Sequence, residues 1–389
     1  MDSTKQNPKN ILMATRPICL PWDEASKNFA WELSKRLNSS KRRFHLLTYR
    51  HLPYTFLNIF EHSIYKNPSL QLSNKEKLRL LKFLLFNNQK LDILHFLFTP
   101  SPLTTKIIKK LILPRYKFGR KESEAVKTIQ TVATLNFQAI GRENVRDYLF
   151  ADQIITHSKS TKKSLNKLGL KNVTHIYPGI DVQKFKSQPK SKFLQKKLGI
   201  SYRDRVILYT GEYLRLEAVD IIVKAFQILS PKFNNLKLIL ACRIKSSEDE
   251  SKKEEVDLRF KKLGLSQKVI YLETFGEIDK LYNLSSIFIF PVKKMTGKFD
   301  IALTILEAMA CEIPTIIADT GALKEVVQEK DAAIILKEKT ANELADQIKN
   351  ILINRSLEAK LKTKARKNIE NHFNINECVK KYRKIYDKI

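Results

Sequence analysis

The sequence predicts an α/β protein made of two doubly wound domains that face each other across a cleft. Short apolar runs, each the length of one β-strand, alternate with amphipathic helical patterns from one end of the chain to the other. This alternation is typical of parallel sheets that helices cover on both faces. The chain has 389 residues, more than one hydrophobic core usually organises, so its length also favours two domains.

The strand candidates form two groups, separated by residues 177–185 (YPGIDVQKF), where Pro178 and Gly179 interrupt regular structure. The first group lies at 10–17, 43–49, 92–98, 127–134, 153–158 and 172–177, with a helix expected from Ala25 to Leu37. The second group lies at 205–211, 236–242, 269–273, 287–292, 315–319 and 332–337. We therefore assign 1–177 to a first domain, 178–190 to a hinge and 191–372 to a second domain. We expect the amphipathic C-terminal helix, 373–389, to pack back on the first domain.

Cysteine usage and hydropathy indicate a cytoplasmic protein. The four cysteines are far apart and show no Cys-x-x-Cys spacing, which suits reduced and mostly buried thiols. The first residues lack the long apolar run of a signal peptide, and no stretch reaches 18 apolar residues. We therefore expect no membrane-spanning helix.

The chain is strongly basic, with a formal net charge of +31 at pH 7. Basic surfaces attract nucleic acids, anionic membranes or phosphorylated ligands, although a lysine-rich composition can also be basic without any partner. The basic residues do not form a compact motif with interleaved aromatic side chains, so we expect no nucleic-acid partner.

The segment 104–121 concentrates this charge. Between Ile93 and Lys121 there is no acidic residue, and there are seven basic ones: Lys106, Lys109, Lys110, Arg115, Lys117, Arg120 and Lys121. In a helix, the apolar side chains would share one face: Ile107, Ile108, Leu111 and Ile112. Such a helix suits peripheral attachment to an anionic membrane on the inner face of the cell, and it equally suits a helix that covers the first sheet.

Residues 298–327 (KFDIALTILEAMACEIPTIIADTGALKEVV) place a carboxylate inside an apolar helical pattern. We expect Asp300 to cap a helix over 301–311, whose free N–H groups at 302–304 would bind an anion. Glu307 lies two turns after Asp300 on the same face. A nucleoside diphosphate fits both features, with its diphosphate at the helix start and its ribose hydroxyls on Glu307. The alternative is a core glutamate that pairs with a nearby lysine.

The same stretch resembles the donor-site signature of the GT-B glycosyltransferases, in particular the large retaining family 4, through LEAMACEIP, TIIADTG and GALKEVV. Residues 151–185, 206–226 and 275–292 extend this resemblance. It implies two Rossmann-like domains that move a hexose from a nucleotide-diphosphate sugar to a glycan or lipid-linked acceptor, with retention at the anomeric carbon. It also implies a role in making cell-envelope polysaccharide, and it assigns Glu307 to the ribose of the donor.

Two departures from the family pattern move the expected catalytic groups. The first glutamate of the family signature falls at Phe299, so we expect Lys298 and Asp300 to replace it beside the transferred sugar or the diphosphate. The two cations of the family's first loop in the second domain fall at Glu212 and Glu217. A departing diphosphate needs positive charge, so other cations must take their place.

Arg215, in the same loop, is the best substitute, followed by Lys298 and Arg243. The donor-binding residues are then expected at Gly211, Arg243, Gly276, Ala302, Leu303 and Glu307. If these cations and the helix dipole hold the diphosphate, neither a metal nor another cofactor is required, and we expect none.

The acceptor side is expected at the loop after the first strand, 18–28 (ICLPWDEASKN), which lacks the glycines usual in the family. Trp22 would stack on a sugar or be a buried structural residue, and Asp23 or Ser26 would cap the following helix. Three histidines on strand candidates are expected to be core residues: His95, His157 and His175.

A second hypothesis stays open at this point. The missing glutamate at Phe299 and the acidic residues Glu212 and Glu217 also suit a non-catalytic GT-B-like protein that binds a nucleotide-sugar or a glycan.

Overall fold

The computed structural model describes residues 7–22, 24–68, 72–87, 89–97, 102–117, 125–135, 140–295 and 297–389. The chain divides into two compact units, Met1–Tyr177 with Val379–Ile389 and Pro178–Cys378. Each unit is built on one parallel sheet with helices between its strands, so the predicted pair of doubly wound α/β domains is confirmed.

The sheet of the first unit has seven parallel strands in the order β3-β2-β1-β4-β5-β6-β7. The strands are β1 (Lys9–Ile18), β2 (Arg42–Thr48), β3 (Ile59–His62), β4 (Ile93–Phe96), β5 (Lys127–Val132), β6 (Gln153–Thr156) and β7 (Val173–His175). Residues 11–14 of β1 are completely buried, because this apolar strand lies between β2 and β4 in the middle of the sheet.

The sheet of the second unit has six parallel strands in the order β10-β9-β8-β11-β12-β13. The strands are β8 (Arg205–Glu212), β9 (Leu236–Arg243), β10 (Val269–Leu272), β11 (Ile287–Phe290), β12 (Thr315–Ala318) and β13 (Ile334–Leu336). The chain builds outward from β8 first to one side and then to the other. This reversal makes the carboxyl ends of β8 and its neighbours the usual ligand position in such a sheet.

The helices of the first unit are α1 (Ala25–Leu37), α2 (Asn74–Phe86), α3 (Pro102–Ile107), α4 (Leu113–Lys117), α5 (Val145–Tyr148) and α6 (Lys159–Lys167), and a π-helical turn (Ile108–Ile112) joins α3 to α4. The second unit contains α7 (Lys192–Lys197), α8 (Val219–Leu229), α9 (Ser247–Lys262), α10 (Ile278–Leu284), α11 (Leu303–Ala310), α12 (Ala341–Ile353) and α13 (Arg355–His372), with 3-10 turns at Ser266–Lys268 and Leu323–Val326. The last helix is α14 (Ile375–Lys388).

Each strand candidate of the sequence corresponds to a strand of the structure, and the expected helix Ala25–Leu37 is α1. Sequence reasoning missed one strand, β3. Its four residues, IFEH, lie at the edge of the sheet and are only partly buried, so they show neither an apolar run nor a clear alternation.

The C-terminal helix α14 is held by polar contacts to the first unit. His95 on β4 hydrogen-bonds Tyr386 (Nδ1–Oη 2.5 Å) and Thr131 on β5 (Nε2–Oγ1 2.8 Å). Thr131 in turn lies 3.0 Å from the hydroxyl of Tyr382, which lies 3.4 Å from Nε2 of His157. Both histidines are completely buried, as expected for core residues. We call these five residues the His95 network.

The basic segment at 102–117 forms part of the first core. Ile108 and Ile112 are buried in an apolar cluster with Leu84 and Phe96, so the apolar face is not free for a membrane. Two of the four apolar residues of the expected face therefore cover the sheet, as in the alternative given for this segment, and membrane attachment stays a prediction. Leu111 remains half exposed. In the described part of the chain, no helix has both the length and the hydropathy to cross a bilayer.

Candidate functional site

The candidate site lies where β8 and β9 end and where the segment between β11 and α11 returns to them. Glu212 is the last residue of β8, and Arg243 is its register partner at the end of β9. Lys298 lies in the segment before α11, and its Nζ is 2.7 Å from Oε1 of Glu212. The carboxyl edge of the sheet therefore brings together side chains from three separate stretches of sequence.

Four cations converge on the single carboxylate of Glu212. Arg215 binds it in a two-pronged arrangement, with Nε 2.6 Å from Oε2 and Nη2 2.8 Å from Oε1. Lys245 donates to Oε1 at 2.6 Å, and Nη2 of Arg243 lies 3.7 Å from the same oxygen. The fourth cation is Lys298, described above. We call the carboxylate and its four cations the Glu212 cluster: Glu212, Arg215, Arg243, Lys245 and Lys298.

The charges of the Glu212 cluster are unbalanced. Burial acts to raise the pKa of Glu212, but Lys298, Lys245 and Arg215 outweigh it and bring the pKa down to about 2. Burial lowers the pKa of Lys298 to about 8, against the opposing effect of Glu212. Burial also lowers the pKa of Lys245. At neutral pH, four cations therefore face one carboxylate, and the surplus positive charge favours an anionic ligand.

The backbone fixes the loops that carry these cations. The carboxylate of Asp249 on α9 accepts hydrogen bonds from the N–H of Leu214 (3.3 Å) and of Lys245 (3.2 Å), which joins the loop after β8 to the loop after β9. The N–H of Lys293 donates to the carbonyl of Leu216 at 3.0 Å, which joins the segment after β11 to the same loop. The three cation-bearing stretches are thus connected independently of their side chains.

Gly297 shows how closely the Arg215 guanidinium packs. Gly297 has φ +68°, which favours glycine, and a Cβ at this position would lie 3.0 Å from Nη1 of Arg215. The backbone conformation therefore favours glycine beside Lys298, and the Arg215 guanidinium leaves little room for a side chain there.

The helix of the signature begins two residues later than expected. Ala302, with an extended backbone, is the N-cap of α11, so the expected capping by Asp300 is wrong. Ile301 is completely buried, and it anchors the chain before the first helical turn. In the described chain, no group accepts a hydrogen bond from the N–H of Leu303 or Thr304, so the start of α11 presents two free donors.

Glu307 has a partner, but it is not a lysine. Its Oε2 accepts a hydrogen bond from the hydroxyl of Tyr282 on α10 at 2.8 Å, and no lysine of the described chain forms an ion pair with it. Burial raises the pKa of Glu307, and the hydrogen bond from Tyr282 opposes this rise. The residue is partly exposed, and in the described part of the chain no hydrogen bond to its other oxygen, Oε1, is found.

Two predicted donor-site glycines have different surroundings. A Cβ on Gly211 would lie 2.3 Å from the hydroxyl oxygen of Tyr209, so this glycine makes room for a buried tyrosine. Gly276 lies between β10 and α10 with open space where a Cβ would be. Packing alone therefore explains Gly211, whereas it does not explain Gly276, and a donor contact stays a prediction for both.

The predicted acceptor-side residues lie before and within α1. Trp22 stacks on Trp31, with ring centroids 5.8 Å apart, so one of its faces is already occupied by protein. Glu24 caps α1 by accepting from the N–H of Lys27 at 3.0 Å, and Ser26 donates to Glu24, so capping by Ser26 is wrong. Asp23 lies outside the described residues.

Sequence reasoning missed Lys245 and the role of Glu212. Lys245 follows Arg243 by two residues, just beyond the end of β9. The position of these two cations at the carboxyl end of the strand beside β8 was the signal that could have identified Lys245. Glu212 was read as a lost cation, whereas the structure makes it the common partner of four cations.

Residues 190–368, which contain the Glu212 cluster and α11, match the family model described as "Glycosyl transferases group 1". The match identifies these residues, which make up most of the second unit, as similar to group 1 glycosyltransferases. The chain is 20% identical to N-acetyl-alpha-D-glucosaminyl L-malate synthase of Bacillus anthracis over 95% of both chains. It is 26% identical to the capsular polysaccharide biosynthesis glycosyltransferase CapM of Staphylococcus aureus, over 57% of this chain and 54% of the relative.

Solved structures share the fold of this chain. The crystal structure of Anabaena Alr3699/HepE in complex with UDP and glucose matches 98% of this chain and 100% of its own, with a TM-score of 0.75 and 14% identity. A glycosyltransferase from Rickettsia africae matches 98% of this chain and 99% of its own, with a TM-score of 0.74 and 17% identity. The expected GT-B fold is therefore confirmed.

Proposed function

We propose that this glycosyltransferase moves a hexose from a nucleoside-diphosphate sugar to a glycan or lipid-linked acceptor, with retention at the anomeric carbon. The observation that carries the proposal is the Glu212 cluster, which places surplus positive charge at the carboxyl edge of the second sheet. The free N–H groups at the start of α11 and Oε1 of Glu307, the carboxylate oxygen that Tyr282 does not use, would supply the remaining contacts.

In this proposal the cluster and α11 act on the diphosphate. When the bond between the anomeric carbon and the β-phosphate oxygen breaks, its electron pair leaves with the nucleoside diphosphate, and negative charge grows on that group. The acceptor's hydroxyl oxygen forms the new bond to the anomeric carbon, and the hydroxyl proton passes to the leaving diphosphate. Arg215, Lys245 and Lys298 stabilise the growing charge more than the bound donor, which lowers the barrier. Glu307 binds the ribose hydroxyls and fixes the donor along α11.

We propose that the reaction needs no metal, since fixed cations already supply the charge that a divalent ion supplies at other diphosphate sites. Turnover is measured after treatment with a chelator and after addition of Mg²⁺ or Mn²⁺. Equal rates under the three conditions support the proposal, and a rate that depends on the metal contradicts it.

The donor is identified by calorimetry and thermal shift with UDP-, GDP- and ADP-sugars. UDP-N-acetylglucosamine belongs in the set because the Bacillus anthracis relative is named for an N-acetylglucosaminyl product. We expect one nucleotide class to bind at micromolar to millimolar concentration and to release its nucleoside diphosphate over time. If no nucleoside diphosphate or nucleotide-sugar binds, the proposed function is overturned.

A second candidate function is binding of a nucleotide-sugar or glycan without catalysis. The observation in its favour is Phe299, which stands where the family signature has a glutamate. The two candidates differ in one measurement, because a binding protein forms the donor complex but neither hydrolyses the donor nor transfers its sugar.

We further propose an acceptor of the cell envelope, since the Staphylococcus aureus relative is named for capsular polysaccharide biosynthesis. A lipid-linked acceptor would require contact with an anionic membrane. The exposed side chains Lys106, Lys109, Lys110 and Leu111 of the first unit could supply it, through charge more than through apolar area.

Vesicle binding tests this contact. Changing Lys106, Lys109 and Lys110 to Glu together should abolish binding to anionic vesicles at physiological salt. The matched control changes the exposed Lys192, Lys196 and Lys197 of α7 to Glu and should leave binding largely intact. Equal binding by both triple variants would reject the membrane proposal.

A further inference from the structure

Glu212 is unusual because it is the most buried member of the cluster and the only acidic one. The residue is 1% exposed, and both of its carboxylate oxygens accept hydrogen bonds from cations. It therefore has no surface left for a ligand. Any part that it plays in the reaction must pass through the side chains that it holds.

The four cations that it holds come from three stretches of chain. Arg215 lies in the loop after β8, Arg243 and Lys245 lie at and beyond the end of β9, and Lys298 precedes α11. Such long side chains have many rotamers and repel one another, so without a common counterion they would separate into solvent. The one buried carboxylate of Glu212 both restricts the rotamers of the cations and offsets their mutual repulsion.

We propose that Glu212 is a positioning residue that holds the cations of the cluster in the arrangement that a diphosphate requires. This inference rests on the proposed function, and it deepens it by explaining why an acidic residue occupies a position where a cation would be expected. Preorganised charge stabilises a transition state without the cost of ordering side chains during the reaction.

The sign of one substitution separates positioning from a simple effect on charge. Glu212→Gln preserves the shape of the side chain but removes its negative charge, so the surplus positive charge of the site increases. If Glu212 only reduces the positive electrostatic potential of the site, the variant should bind UDP, GDP or ADP more tightly and turn over faster. If Glu212 positions the cations, turnover should fall in spite of the greater positive charge.

We expect Glu212→Gln to lower kcat for hydrolysis of the bound nucleotide-sugar roughly ten- to a hundredfold, with a smaller change in KM. We expect kcat to change more than KM because the cations act most strongly on the charge that develops as the diphosphate leaves. Glu212→Asp keeps the charge with a shorter side chain, and it should recover part of the lost kcat.

The matched control is Glu217→Gln. Glu217 lies five residues later in the same loop, it is exposed, and it pairs with Lys294 at 2.6 Å. This variant makes the same change in net charge and should keep kcat and KM within about twofold of the wild-type values. A comparable loss in both variants would show that the net charge of the loop matters and would overturn the positioning role.

Folding is controlled by a second variant. Removing Glu212 leaves four cations without their partner, so Glu212→Gln alone could unfold the loop. The double variant Glu212→Gln/Lys245→Gln restores the net charge of the cluster, and its reference is the single variant Lys245→Gln, which lacks the same cation but keeps Glu212. Positioning predicts that the kcat of the double variant is at least tenfold below that of Lys245→Gln. A folded double variant as fast as Lys245→Gln would overturn the inference.

The outcome also distinguishes this inference from the proposed function. If the wild-type protein releases a nucleoside diphosphate from a nucleotide-sugar and Glu212→Gln does so at the same rate or faster, only the positioning role fails. If the wild-type protein binds no nucleoside diphosphate, both fail. A fall in kcat that Glu212→Asp partly restores and that Glu217→Gln does not reproduce supports the inference.

Discussion

The two units each contain a buried polar cluster, and the two clusters differ in charge. In the first unit, the His95 network links two strands to α14 through neutral side chains, and burial lowers the pKa of His95 and of His157 to about 3. In the second unit, the Glu212 cluster keeps four cations around one carboxylate. A neutral network serves packing, whereas surplus charge held at a strand end serves a ligand of opposite sign.

The difference teaches that burial of polar groups does not by itself mark a functional site. His95 uses both ring nitrogens on protein partners and has nothing to offer a ligand. The Glu212 cluster also satisfies its carboxylate, but its cations exceed what one carboxylate neutralises. Four predictions test this contrast, from the largest expected effect to the smallest.

Arg215→Ala should have the largest effect on turnover. The variant removes a charged hydrogen-bond donor worth about 1.5–3 kcal/mol, which corresponds to roughly a ten- to hundredfold loss in rate. The control is Arg203→Ala, an exposed arginine before the opposite end of β8, and it should turn over normally. Equal rates for the two variants, measured by release of nucleoside diphosphate, would make Arg215 a structural residue of the loop.

Glu307→Gln should weaken nucleotide binding by about 1–3 kcal/mol, because a charge-assisted hydrogen bond to the ribose is lost. Its melting temperature without ligand should barely change, since glutamine still accepts from the hydroxyl of Tyr282. Calorimetry and thermal melting on the same variant decide the point. A destabilised protein with normal nucleotide affinity would show that Glu307 has a structural role, like the residues of the His95 network, and does not bind the nucleotide.

Tyr386→Phe should show the opposite pattern. The hydroxyl of Tyr386 bonds His95 at 2.5 Å, and its removal leaves a buried ring nitrogen without that partner. We expect a loss of about 1 kcal/mol in stability, or a fall of about 2–4 °C in melting temperature for a unit of this size. Turnover at 25 °C should be unchanged, and a loss of turnover without a loss of stability would contradict the structural role of the network.

The smallest expected effect is a change in nucleotide affinity with pH. Burial lowers the pKa of Lys298 to about 8 in the free protein, and the groups that face it are Glu212, Lys245 and Arg243. A bound diphosphate favours the charged amine, so affinity should fall by a few-fold as pH rises from 7 to 9. Lys298→Arg stays charged over this range and should remove the dependence. Calorimetry at pH 7, 8 and 9 provides the measurement, and identical slopes for both proteins would show that Lys298 does not contact the nucleotide.

The fold could be predicted in detail because its signals are local. Each buried parallel strand is an apolar run, and each intervening helix has its own period, so neither depends on distant residues. The exceptions have local causes too, such as the short edge strand β3. The apolar face over 107–112 was visible in the sequence, but the sequence did not show whether it packs against the protein or faces outward. In the structure, Ile108 and Ile112 pack in the first hydrophobic core.

The sequence by itself determined the two α/β units, the α11 signature, Glu307 and Arg215 as candidates, and the resemblance to the glycosyltransferases. Only the tertiary structure decided the meaning of Glu212. Its partners lie 3 residues away at Arg215 but 86 residues away at Lys298, with Arg243 and Lys245 in a third stretch. The sequence shows the sign of each charge but not which other charges lie near it. The parallel register of β8 and β9, together with the return of the segment before α11, brings the four cations to Glu212. The physical reason is that electrostatic function depends on distances across the fold, whereas secondary structure depends on residues a few positions apart.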